Sequence, residues 1–210
     1  RSRAAADATR RAPPVCARGE VCRGARARRR RLDRGLEALA RAVARILVAY
    51  APDVVVTHAY EGGHPDHDAC AFAVRHAIRL LEHTGHRLAP AFFEMASYHA
   101  DPSGAMVAQA FRGGGESARV TLSPEEARAK EAMIAEHASQ AAVLASFRSD
   151  LEAVRLARTA DFTAPPHEGP CHYERLGWEL TAARFVDLAA EATRALARVS
   201  SRWTSSRAET

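Results

Sequence analysis

The sequence predicts an α/β layered fold built on a parallel sheet, and three observations lead there. The run Asp53-Val54-Val55-Val56-Thr57-His58 is β-branched and apolar at every central position. Continuous hydrophobicity of this kind suits a strand buried on both faces. Segments with helical periodicity flank it on either side, and a glycine-bearing loop, Ala59–Gly63, joins it to the second of them.

The first helix begins at Leu36. Leu36, Leu39, Ala40, Val43, Ile46, Leu47 and Tyr50 recur at the spacing of one apolar stripe. Pro52 ends it, because the residue before a proline is pushed out of helical angles. The second helix runs from about Pro65 to Leu81, with Ala69, Phe72, Ala73, Ala77, Leu80 and Leu81 inward. Proline is tolerated in its first turn, where the missing N–H has no intrahelical partner. Ala91–Tyr98 reads as a strand and Ala118–Leu122 as a short one. Ser123 with Glu126 forms a capping box that opens a helix to about Ser146. Asp161–Gly177 is a long loop with three prolines, and an amphipathic helix closes the chain over roughly Glu179–Val199. His76, His83 and His86 fall on or beyond the surface of the second helix.

With 210 residues, 47% of them hydrophobic, the chain can bury one domain's core. Its net charge of +5 conceals two opposed parts. Residues 1–35 hold 12 arginines against three acidic residues, a charge of +9. The other 175 residues carry 18 basic and 22 acidic side chains, a charge of −4. Residues 1–35 therefore read as an Arg-rich segment without ordered structure, 36–200 as the folded domain and 201–210 as a tail. The basic character gives no reason to expect nucleic-acid binding by the domain itself. No apolar run is long enough for a membrane span, and no apolar stretch follows the N-terminal arginines as a secretory signal requires. Four scattered cysteines without a CxxC pair predict reduced thiols and a cytoplasmic protein.

The sharpest local feature is Gly62-Gly63-His64-Pro65-Asp66-His67, at the end of the central strand and the start of the next helix. In open parallel sheets ligands bind in the crevice outside the strand ends. His64 and His67, three apart, share one side of a first helical turn, and Asp66 could orient an imidazole as carboxylates do beside metal sites. A neutral imidazole is a common zinc ligand. The same residues could also be an ordinary polar helix start, with Asp66 favoured by the helix dipole. An HD-type phosphohydrolase reading of His67-Asp68 is disfavoured, since those sites sit on all-helical scaffolds.

Taken together, Pro52–His58, the glycine loop and His64-Pro65-Asp66-His67 resemble the second motif of the PIG-L/LmbE-like de-N-acetylases. The likeness continues through Lys130 and His137-x-Ser139-Gln140, and more weakly through the aromatic Asp161–Trp178 loop, where His167, His172, Tyr173 and Trp178 suit sugar stacking and hydrogen bonding or else pin the loop to the core. The resemblance implies a Rossmann-like fold and zinc-dependent removal of acetyl groups from N-acetylglucosaminyl and related substrates. By position it implies that His67 is a zinc ligand, that His64 stabilises the oxyanion or protonates the departing amine, and that Asp66 tunes His64. The family's first motif, which carries the remaining zinc ligands and the general base, has no counterpart here, so the domain reads as N-terminally incomplete. A catalytic zinc usually needs three protein ligands. Two expectations follow: a zinc hydrolase acting on a small N-acetylated sugar or glycoconjugate, or an inactive α/β interaction module.

Overall fold

A computed structural model describes residues 35–86 and 89–208. The expectation for residues 1–35 falls almost wholly outside the described residues. The chain forms α1 (Gly35–Tyr50), β1 (Val54–His58), α2 (Pro65–His83), β2 (Ala91–Met95), β3 (Tyr98–Ala100), β4 (Met106–Ala108) and β5 (Ala118–Thr121). There follow α3 (Pro124–Ala135), a 3₁₀ turn (Ala138–Gln140), α4 (Ala141–Leu144), β6 (Leu151–Leu156), α5 (His172–Arg175) and α6 (Ala182–Ala208).

The α/β class is as predicted, but the sheet is mixed. Its order is β1-β2-β6-β5, with β1 and β2 parallel and the β2–β6 and β6–β5 pairs antiparallel. Parallel pairing of β1 with β2 requires a crossover, and α2 provides it. The expected Ala91–Tyr98 strand divides in two: β2 stays in the main sheet, while β3 pairs with β4 in a separate hairpin.

Helices α1, α2 and α6 form the core layer. Leu36 and Ala40 of α1 meet Ala69, Phe72 and Ala73 of α2 and Phe185, Leu188, Ala189, Ala192 and Leu196 of α6. A second cluster, Ala44, Leu47, Ala77 and Leu81, packs with Val55 of β1. The buried stripe of α1 is rotated from the expected one. It runs Leu36, Ala40, Ala44, Leu47, while Leu39, Ile46 and Tyr50 are exposed. His76 is a core residue rather than a surface one: it stacks on Phe72 at 3.8 Å and its Nε2 lies 3.1 Å from Thr193 Oγ1.

The helices cover one face of the sheet. Residues paired in register share a face, so Val54, Val56, Val120 and Leu156 lie on the other side, where all four are exposed. Thus β1 is not buried on both faces, and its hydrophobic continuity has a different cause. Val55 serves the helix layer, while Val54 and Val56 serve a face that no other described element covers.

The capping box at Ser123 and Glu126 forms as predicted, but its helix ends at Ala135 instead of continuing to Ser146. None of α3's residues is buried. Lys130 ties it to the sheet through Leu151 O at 2.8 Å and a close ion pair with Glu152.

Candidate active site

Strand β1 delivers His58 to the sheet's C-terminal end, and the Ala59–Gly63 loop turns the chain into α2. The turn is tight: a side chain at Gly63 would place its Cβ 1.8 Å from Tyr98 O, so only glycine fits against β3. Asp68, wholly buried in the first turns of α2, reaches back to hold the loop. Its Oδ1 accepts the backbone N–H groups of Glu61 at 3.3 Å and Gly62 at 3.1 Å. Burial pushes the Asp68 carboxyl up to about 8.

His64 is the N-cap of α2. Its Nδ1 accepts the backbone N–H of Asp66 at 3.0 Å, satisfying one of the helix's orphan donors. The Asp66 carboxylate lies 3.9 Å from the same nitrogen and its side chain is 78% exposed. In this arrangement Asp66 orients the imidazole through its backbone N–H. An Nδ1 that accepts carries no proton, so neutral His64 bears its proton on Nε2.

Three imidazoles converge at this corner. His58 and His67 stack with centroids 4.0 Å apart, and His64 lies 5.1 Å from His67. Tyr98 of β3 meets His67 edge-on at 5.3 Å and also contacts His172 at 5.7 Å, while Trp178 meets His64 at 4.8 Å, nearly perpendicular. Burial, reinforced by the neighbouring histidines, pushes His67 down to about 3, so the ring is neutral. Nδ1 of His67 is buried without a hydrogen-bond partner.

That observation bears on zinc. A neutral imidazole with an unpartnered ring nitrogen meets the chemical requirement for one zinc ligand. Among the described residues, however, no group of three His, Cys, Asp or Glu side chains is placed to hold a metal ion. His67 fits a ligand position, and the described residues alone do not complete a zinc site.

Beneath the corner lies a charge network that sequence reasoning missed. Glu94 of β2 is paired with Arg75 of α2 and with Arg155 of β6, the latter at 2.7 Å. Arg155 continues to Glu61 at 3.5 Å and stacks over Phe111 at 4.0 Å. Glu61 accepts the Arg112 backbone N–H at 2.8 Å and lies 3.8 Å from His99 Nδ1. Burial pushes Glu61 up to about 7. The one sequence sign of this network was an acidic residue, Glu94, within the apolar Ala91–Tyr98 strand.

His64, Asp66 and His67 are thus brought together as their spacing suggested, and His58 joins them. His99 and Arg112 support the Glu61 loop, and Lys130 braces α3 against β6. His137 and Gln140 are exposed.

Residues 20–78 match the PIG-L family, GlcNAc-PI de-N-acetylase. The PIG-L match takes in α1, β1, the His64–His67 turn and most of α2. It stops short of Lys130 and His137–Gln140, and it starts ahead of Leu36, where the resemblance read from the sequence began. No curated protein and no solved structure matches the chain. The PIG-L match supports a hydrolase of the de-N-acetylase kind, a family acting on N-acetylated sugars. No helix among the described residues is long and apolar enough to cross a membrane.

Proposed function

We propose that the protein hydrolyses the acetamide of an N-acetylated amino sugar or its conjugate, with the His58–His64–His67 corner as the reacting end of the site. The observation that carries this reading is the capped His64 beside the neutral His67 within the PIG-L match. In a reducing, cytoplasmic setting Cys70 and Cys171 stay as the free thiols they are here.

His67 would supply one ligand to Zn²⁺, with further donors from outside the described residues. Bound zinc supplies a water acidic enough to attack an amide near neutral pH. The chain's own residues do the rest. With its proton on Nε2, His64 can donate a hydrogen bond to the oxygen that gains charge as the carbonyl carbon becomes tetrahedral. Delivering a proton to the departing amine requires a different state. Nδ1 must first take a proton and give up the Asp66 N–H, and the Asp66 carboxylate is then close enough to steady the imidazolium. Asp66 therefore serves His64 twice, through its backbone in the resting state and through its carboxylate after protonation. Tyr98 walls the corner beside His67 and limits water around it.

Acetate release from N-acetylglucosaminyl substrates, measured alongside zinc content of the purified 210-residue chain, tests the reading. Zinc-dependent release supports it. A chain that neither binds zinc nor releases acetate would refute it.

One observation favours a second reading, that of a non-catalytic interaction module. The sheet face carrying Val54, Val56, Val120 and Leu156 is apolar and exposed, as binding surfaces are. Under that reading Val56→Asp would abolish association with a partner, and neither the wild type nor the variant would release acetate.

A further inference from the structure

The proline-rich loop, whose aromatics suit either sugar stacking or pinning to the core, contains a rigid mount. Helix α5 has four residues and is fastened at both ends. At its N-terminus the Cys171 backbone N–H donates to Glu174 Oε2 at 2.7 Å, one arm of a capping box. At its C-terminus Gly177 N–H donates to Glu174 O at 3.0 Å and Trp178 N–H to Tyr173 O at 3.1 Å. These are the paired bonds of a Schellman motif, and Gly177 takes the left-handed angle it requires, φ +72°.

The mount is anchored below and alongside. Cys171 and Tyr173 are fully buried, and the His172 N–H donates to Gly62 O at 2.8 Å, joining α5 to the loop that precedes His64. The backbone of Trp178 is thus fixed relative to the reacting corner by bonds from two directions. Its indole meets His64 at 4.8 Å and yet remains 42% exposed. A large aromatic held rigidly at the rim of a site, partly open to solvent, has already met the entropic cost of ordering before a ligand arrives. The C–H face of a hexopyranose is apolar and weakly positive, and it complements the electron-rich face of an indole.

From this we infer that Trp178 is the platform on which the pyranose ring of the substrate stacks, setting the sugar beside His64. The inference rests on the proposed hydrolase reading for its substrate class and extends it to the residue that selects a sugar over a simple amide. His172 lines the same wall. It is 9% exposed, its Nδ1 is buried without a partner, and its ring contacts Tyr98.

The test uses the full chain with Trp203, the other of its two tryptophans, replaced by Phe so that emission reports Trp178 alone. The probes are methyl N-acetyl-β-glucosaminide and, as a sugarless control, acetamide. A saturable change in emission with the glycoside and none with acetamide is expected. In deacetylation, Trp178→Ala should raise KM up to about tenfold with kcat changed less than about twofold, and Trp178→Phe should restore most of the loss. A purely structural Trp178 would instead lower stability without a selective rise in KM. Acetate release with silent emission and unaltered KM in Trp178→Ala would overturn the stacking inference and leave the hydrolase reading standing. Saturable emission change without acetate release would sustain the stacking platform and remove the hydrolase. A glycoside that neither alters emission nor releases acetate would overturn both.

Discussion

The rings of His58 and His67 lie face to face, 4.0 Å between centroids and 8° from parallel. One residue ends β1 and the other lies in the first turn of α2, so this stack fixes the strand to the helix across the loop. His58→Ala should cost about 1–3 kcal/mol through lost stacking and incomplete collapse of the gap. His58→Phe should recover most of it. Urea denaturation of the three proteins measures both, and equal midpoints for wild type and His58→Ala would show that the stack contributes nothing.

Gly63 tolerates no side chain because its Cβ would overlap the Tyr98 carbonyl, which belongs to backbone and cannot swing aside. Gly63→Ala should destabilise the protein by about 3 kcal/mol or more, or prevent folding. Gly35→Ala, with nothing within 4 Å of the added carbon, is the control and should leave stability within about 0.5 kcal/mol. Thermal unfolding of both variants checks the contrast.

Glu94 is 2% exposed and serves two arginines. Removing it leaves Arg75 and Arg155 in a poorly solvated interior, so Glu94→Ala should cost about 3–5 kcal/mol. The exposed pair of Arg148 with Asp150 is a fair comparison, and Asp150→Ala should leave stability nearly unchanged because solvent screens the pair. Similar losses in the two variants would contradict the account of the buried network.

Glu61 gives stability a particular pH dependence. Its carboxyl is raised from an ordinary 4.5 to about 7 by burial, against the opposing pull of the Arg112 N–H and Arg155. Between those values the folded chain holds a proton that the unfolded chain has released. Stability from this group therefore falls as pH rises from about 4.5 through 7, then levels. Burial lowers the nearby His99, whose contribution instead is lost as pH falls below 6.5. Glu61→Gln removes the first effect and keeps the second. Urea midpoints at pH 5, 6, 7 and 8 should show that the variant gains on wild type as pH rises, and a constant difference would refute the assignment.

The starts of the longer helices and the reacting turn were legible in the sequence because their signals are local. Prolines at residues 52 and 65, the capping box at Ser123 and the spacing of His64 and His67 each act within a few residues. What escaped notice depends on distant partners. Strand β6, Leu-Glu-Ala-Val-Arg-Leu, carries good helix formers and becomes a strand by pairing with β2 and β5. The exposed face of β1 was misread because an apolar run says that valines meet something apolar, without saying which elements are present to meet them. Glu61 gave no local sign either, since its partners Arg112 and Arg155 lie 51 and 94 residues away. Trp178 stood out as an aromatic in a loop, but its fixed place beside His64 depends on the bond from His172 to Gly62.

The most direct test of the central claim compares wild type with His64→Ala in a zinc-supplemented assay of acetate release from an N-acetylglucosaminyl substrate. The account predicts release by wild type and a loss of about 10²-fold or more in kcat for the variant, the effect of removing a donor aimed at the oxyanion. Folding of the variant is checked by its circular dichroism. Equal release by the two proteins, or none above background from the wild type, would contradict it.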